Sequence, residues 1–260
     1  MAPTVVHALS GVEELRAASD DDAYVRAMAD PVRTSVAWRH EGGAVGWLMR
    51  SRHAPGRSAL MAIGAARPAA DLLHHVATED DGGIRAATLP RGAVDHLPAG
   101  WSLEPANEWE WFHTEAPPPV QEHEPLVRRL DDGADGPEIL ALLETWSPRH
   151  DAEPGQDHVR LWCGIRDDDG QLVAVAAHTE YSPGVPFLAS IATVGGVRGR
   201  GYGAAVTAWI TRELLATGSD WVTLGMYSDN EVARRLYHRL GFRCDHYFTS
   251  GPLVRPTGYG

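Results

Sequence analysis

No stretch constrains this chain more than Arg198-Gly-Arg-Gly-Tyr-Gly203, with glycine at every second position and no acidic residue. It stands between two patterned segments. Phe187–Val194 is short, apolar and bounded by Pro186 and Gly195, which predicts a buried strand. From Gly203 to Leu215 the apolar Val206, Trp209, Ile210 and Leu214 recur at helical spacing. Glycines let a backbone turn sharply and come close to a ligand. The unpaired N–H groups that open the helix would face that ligand, with the positive end of the helix dipole behind them. Strand, basic glycine turn and helix make a place to hold a phosphate-bearing molecule.

Three kinds of protein build such a turn. A P-loop ATPase needs Gly-Lys-Ser or Gly-Lys-Thr at its end, and the chain has no lysine. A Rossmann dinucleotide fold is nearer, because Gly199, Gly201 and Ala204 satisfy G-x-G-x-x-A. Only about 55 residues follow, however, too few for the remaining βα units of a doubly wound sheet. The third reading is Arg-x-x-Gly-x-Gly, which resembles the pyrophosphate loop of the GNAT superfamily of acyl-CoA N-acyltransferases.

Downstream residues carry the same resemblance. Trp221–Met226 reads as a strand, Ser228–Asn230 supplies a helix N-cap, and Gly241 is placed as a C-terminal stop. The closing Tyr237-His-Arg-Leu-Gly-Phe242 is similar to the family's Tyr-x-x-Leu-Gly-Phe. Asn230 and Tyr237 stand two helical turns apart and therefore on one helix face; the resemblance implies that this face lines the coenzyme A groove.

The resemblance also implies a mixed α/β fold of the GNAT type, an acyl-CoA co-substrate (acetyl-CoA or another short acyl-CoA), no metal and a site. Arg198, Gly199, Arg200, Gly201, Tyr202 and Gly203 would hold the pyrophosphate. Ile191, Ala192 and Thr193 would contact the pantetheine arm where their strand parts from its neighbour, and a backbone N–H near Thr193 would polarise the thioester carbonyl. Tyr237 would be the general acid, since a phenol with an ordinary pKa of about 10 is protonated at neutral pH. The general base stays open among His178, Glu180, Tyr227 and a water chain. His178 and Glu180 share one strand face by alternation. The polar segment Ser147–His158 would cap the acceptor site. One residue departs from the family pattern: Gly195 stands where proline is common.

Most of this assignment falls on residues 123–260, the expected N-acetyltransferase domain. Ala116-Pro-Pro-Pro119 marks a stiff linker over 116–122. Residues 1–115 form a smaller mixed α/β domain: a helix over Val12–Met28, a hairpin of Ser35–Trp38 with Ala44–Met49, a strand Ala59–Ile63, a helix from Arg67 to His75, and strands Ala86–Leu89 and Glu108–Thr114. This order fits a degenerate half-copy of the later fold. Gly64-Ala-Ala-Arg-Pro68 occupies the comparable turn without the glycine pair, so the half-copy is expected to have lost coenzyme binding.

Composition narrows the partners. A net charge of −12 argues against nucleic acid and anionic membranes, and no apolar run approaches the roughly 20 residues of a membrane span. Cys163 and Cys244, each in an apparent strand, suit reduced structural thiols in a cytoplasmic protein. The histidines lack metal-ligand spacing such as H-E-x-x-H. The expected partner is a small-molecule or peptide amine, with a homodimer compatible. The competing classes are an acyl-CoA-binding regulatory protein without turnover and a nicotinamide-binding reductase.

Overall fold

The structure, a computed structural model, describes residues 5–50, 56–80 and 83–256. The outermost residues of the two expected domains, 1–4 and 257–260, lie outside them. The chain divides into two compact units that are not consecutive in sequence. The first comprises Met1–Trp111, Tyr227–Asp229 and Asp245–Gly260; the second comprises Phe112–Met226 and Asn230–Cys244. The proline stretch 116–122 thus groups with the second unit, and the C-terminal strand with the first.

In the first unit the chain runs β1 (Val6–Leu9), α1 (Val12–Ala18), α2 (Ala23–Met28), β2 (Thr34–His40), β3 (Ala44–Arg50), β4 (Ser58–Gly64), α3 (Ala66–Thr78), β5 (Ile84–Pro90), β6 (Ser102–Leu103) and the start of β7 (Asn107–Thr114). The single helix expected over Val12–Met28 is two. Asp20 and Asp21 adopt φ of 54° and 55°, which ends α1, and the Asp22 carboxylate then accepts from the N–H groups of Tyr24 and Val25 to open α2. The ladders β1–β2, β2–β3 and β3–β4 are antiparallel and β4–β5 is parallel. Helix α3 lays Ala69, Ala70, Leu72, Leu73 and Val76 on the sheet, the stripe expected of an amphipathic helix.

In the second unit the order is β8 (Arg128–Leu130), α4 (Gly136–Trp146), β9 (Val159–Arg166), β10 (Leu172–Ser182), β11 (Val185–Thr193), α5 (Tyr202–Ala216), β12 (Val222–Tyr227), α6 (Glu231–Arg239) and the start of β13 (Arg243–Val254). Here β8–β9, β9–β10 and β10–β11 are antiparallel and β11–β12 is parallel. Two cores flank this sheet. Ala205, Val206, Ala208 and Ile210 of α5 meet Ala174, Ala176 and Leu188 on one face, where Tyr237 of α6 also packs. Ile139, Leu142 and Leu143 of α4 meet Val175, Ala177 and Ala192 on the other. Arg212 of α5 donates to the Pro118 carbonyl at 2.6 Å and pairs with Glu124, so the proline stretch is strapped to this unit.

The two units therefore repeat one plan: a strand, a helical connection (two helices in the first unit, one in the second), three antiparallel strands, a helix and a parallel strand. Each half also gives its end to the other unit. Phe112–Thr114 of β7 group with the second, and Asp245–Val254 of β13 with the first, where β13 pairs antiparallel with β5 from Phe248↔Pro90 to Pro252↔Ala86.

Candidate active site

The site begins with an irregularity in β11. Its partner β10 pairs Ala177 with Ala189 and Val175 with Ala192, so Ser190 and Ile191 together oppose the single Ala176. This is a β-bulge, which bends the strand that carries it. On its other edge β11 pairs with β12 only at Phe187↔Thr223 and Leu188↔Leu224. Beyond Leu188 the two parallel strands part, as the resemblance implied. Val194 donates its N–H to Val173 of β10 at 3.0 Å. Successive backbone groups of a strand alternate in direction, so the Thr193 N–H points the other way, into the gap left by β12. Ile191 packs toward the α5 core and Ala192 toward the α4 core.

The glycine turn follows at the end of the bent strand. Gly199 and Gly201 take φ of 80° and 91°, a region that glycine enters without a Cβ penalty. Gly201 caps α5 without a side chain, and the first helical bond runs from the Ala205 N–H to its carbonyl at 2.9 Å. The amides of Tyr202, Gly203 and Ala204 precede that bond and point out of the helix end. Gly203 lets α5 approach β11, since a Cβ there would stand 3.2 Å from Thr193 Oγ1. The Tyr202 ring leans on His123, centroid to centroid 4.8 Å.

The two arginines of the turn differ. Arg200 is exposed. Arg198 donates from Nε to the Thr193 carbonyl at 3.1 Å and from Nη2 to the Trp146 carbonyl at 3.0 Å, with its guanidinium over the Trp146 ring. It ties the last carbonyl of α4 to the end of β11, where a cation also suits the negative end of a helix dipole. Trp146 explains Gly195. A Cβ at that position would stand 2.8 Å from Cη2 and 3.0 Å from Cε3 of the indole, so alanine or proline there would require the partly exposed Trp146 ring to move aside.

Helix α6 supplies the remaining candidates. The Asn230 side-chain oxygen accepts the Ala233 N–H at 3.0 Å, so Asn230 caps α6 from an exposed position. Tyr237 is 6% exposed and packs edge-on to Phe112 and tilted to Phe242, with ring centroids 5.9 and 6.1 Å away. Burial raises its phenol pKa above the ordinary value, which keeps the proton in place across neutral and mildly alkaline pH.

His178 lies on β10 on the same face as Ala174 and Ala176, toward the core that holds Tyr237. It is 8% exposed, and among the described residues its Nε2 has no hydrogen-bond partner. Desolvation lowers its pKa, and nearby Arg160 adds to this while Glu180 opposes it. Glu180 Oε1 stands 3.9 Å from Nε2, and the other carboxylate oxygen accepts from Arg160 Nε at 3.2 Å. Cys163 is a core thiol whose pKa burial pushes up. Among the described residues no group of three or more His, Cys, Asp or Glu stands ready for a metal ion, and no helix is long and apolar enough to cross a membrane.

The first unit serves as an internal control. Its β4 runs beside β3 without a bulge from Ala44↔Gly64 to Arg50↔Ser58, and it pairs with β5 from Ser58↔Ile84 to Met61↔Thr88 with a register shift between Ser58 and Ala59. Helix α3 opens at Ala66, behind Ala65 in extended conformation. The plan is repeated; the bulge against the antiparallel neighbour and the glycine pair are not.

Comparison with known proteins agrees with this geometry. Residues 162–249 match the family model of FR47-like protein. Similar solved structures include an acetyltransferase assigned to the GNAT family from Novosphingobium aromaticivorans (23% identity, TM-score 0.55, covering 84% of this chain and 90% of that one). A GCN5-related N-acetyltransferase from Kribbella flavida matches at 22% identity and TM-score 0.56, over 96% of this chain and 98% of that one. Another from Sphaerobacter thermophilus matches at 14% and 0.58, over 97% and 96%. No curated protein matches. The chain thus has the fold of the GNAT superfamily. Within it, the segment from β9 into β13 carries the FR47-like match. The antiparallel β10–β11 ladder also excludes the doubly wound parallel sheet of a Rossmann reductase.

The fit of Trp146 against Gly195 is testable. Gly195→Ala should cost about 1–3 kcal/mol in denaturant unfolding, as overpacking does. In a Trp146→Ala background the same change should cost little, so the two are coupled. Additive losses would show that the indole is not what excludes a side chain there.

Proposed function

We propose that the protein is an N-acyltransferase that moves an acetyl or another short acyl group from acyl-CoA to a primary amine, by direct attack in a ternary complex. The parted strands carry this reading. A backbone N–H at Thr193 faces the gap between β11 and β12, and the gap leads to the glycine-lined N-terminus of α5.

An acyl-CoA supplies an activated thioester carbonyl. The chain's own groups do the rest. Amides of Tyr202, Gly203 and Ala204, with Gly199 and Gly201 shaping the approach, would bind the pyrophosphate, and Arg200 adds charge. Arg198 acts indirectly, by holding the end of β11. The edge of β11 that faces the gap, from Ile191 to the Thr193 N–H, would pair with the amide groups of the pantetheine arm as a further strand would, while the Thr193 carbonyl stays with Arg198. The Thr193 N–H would polarise the carbonyl. The amine's lone pair forms the new C–N bond, the C–S bond breaks, and the departing thiolate takes the Tyr237 proton. His178, held neutral by its burial, would accept the proton that the amine gives up, directly or through a water. Asn230 serves by capping the helix that presents Tyr237.

Tyr237→Phe should lower amine-dependent thiol release by about 10²-fold or more while leaving acetyl-CoA affinity unchanged. Unchanged turnover would remove Tyr237 from the reaction. Acetyl-CoA binding with no thiol release in the presence of amines, in the unaltered protein, would favour a binding protein without turnover.

His178 gives a pH signature. Its pKa lies below the ordinary histidine value of about 6.5, because the site favours the neutral ring. The base form therefore persists as pH falls through 6.5 and is lost only below it. The acidic limb of kcat/KM should lie below pH 6.5 and disappear in His178→Asn, with lower turnover. An identical limb in that variant would assign the ionisation elsewhere.

A further inference from the structure

Ser190 has a backbone unlike its neighbours. Its φ is 50°, a left-handed conformation uncommon for a residue with a side chain and more so within a strand. It is 8% exposed and forms the first half of the bulge opposite Ala176. Its hydroxyl accepts the Ala152 N–H at 2.9 Å and donates to the Ala152 carbonyl at 2.8 Å. One side chain thus satisfies both backbone groups of a residue in the segment between α4 and β9. Strained conformations persist where the surroundings over-determine them, and they cluster at functional sites. The same segment is fixed at its start, since Arg198 binds the carbonyls of Trp146 and Thr193 together. The 146–152 stretch is therefore held to β11 on both sides of the position where the Thr193 N–H enters the gap.

We propose that Ser190 is a positioning residue for acyl transfer: by locking the bulge to Ala152 it aims the Thr193 N–H at the thioester carbonyl and joins the acceptor-side segment to the coenzyme strand. This rests on the acyltransferase reading above. Binding at the strand and ordering of residues 147–158 then become one event. A hydroxyl that merely stabilised the fold would affect every property of the site equally; a hydroxyl that aims the N–H affects the carbonyl most.

The test uses acetyl-CoA labelled with 13C at the carbonyl and coenzyme A, which lacks that carbonyl. Ser190→Gly admits the same φ and removes the CH2OH side chain with the hydroxyl that bridges Ala152. In the unaltered protein, isotope-edited infrared spectra should show the carbonyl stretch lowered on binding. In Ser190→Gly the lowering should fall to about half or less, while coenzyme A affinity by calorimetry stays within about threefold. A full carbonyl shift in the variant overturns the proposal. So does a coenzyme A affinity that collapses together with the shift, which marks a structural role. An unaltered protein that binds no acetyl-CoA overturns the acyltransferase reading and the proposal with it. Amide exchange in the unaltered protein tests the same link without a substitution. Acetyl-CoA should slow the Ala152 and Thr193 amides together, and slowing of Thr193 alone contradicts it.

Discussion

An antiparallel ladder has no place for an extra residue, and β11 carries one. Ser190 and Ile191 must share the space opposite Ala176, so the strand bends away from β12 after Leu188. The acyl-CoA site proposed for the second unit depends on that bend. It exposes a row of backbone groups inside a sheet, where unpaired groups are otherwise costly. It carries Thr193 to the foot of α5, where Gly203 is small enough to meet it, and it sets the direction in which the glycine turn leaves the sheet. In the proposed reading a ligand would complete this edge, much as an added strand completes a sheet.

The first unit shows how little separates a site from a scaffold. The two units share strand order and ladder directions, yet β4 pairs with β3 without interruption, and its helix begins behind an extended alanine in place of a left-handed glycine. The first unit thus lacks the bulge against its antiparallel neighbour and the glycine pair, the two features on which the proposed site rests. The first unit instead takes up β13, whose Phe248 is fully buried beside Tyr24 at 4.6 Å.

What the sequence disclosed follows the range of the interactions. The glycine turn was legible because left-handed φ at Gly199 and Gly201 is a local demand that glycine meets. The start of α6 was legible because Asn230 caps it three residues on, and the strands around it because apolar alternation is local too. The helix break at Asp20 and Asp21 was missed, since aspartate tolerates left-handed φ without advertising it as glycine does. Ser190, Trp146 against Gly195, and the Arg198 clamp were hidden for a different reason. Each joins residues far apart in sequence, and no pattern within Ala-Ser-Ile or Gly-Gly-Val announces the partner. The placement of β13 in the first unit is non-local in the same sense: its alternation marks a strand but not which edge receives it.

The parted strands and the helix behind them are proposed to form an acyl-CoA site. The most direct measurement is calorimetric titration of the purified protein with acetyl-CoA, with NADH as the control for the competing reading of the glycine turn. Acetyl-CoA should bind saturably, one equivalent per chain, and NADH should give no heat of binding. Saturable NADH binding with none for acetyl-CoA would contradict the proposal.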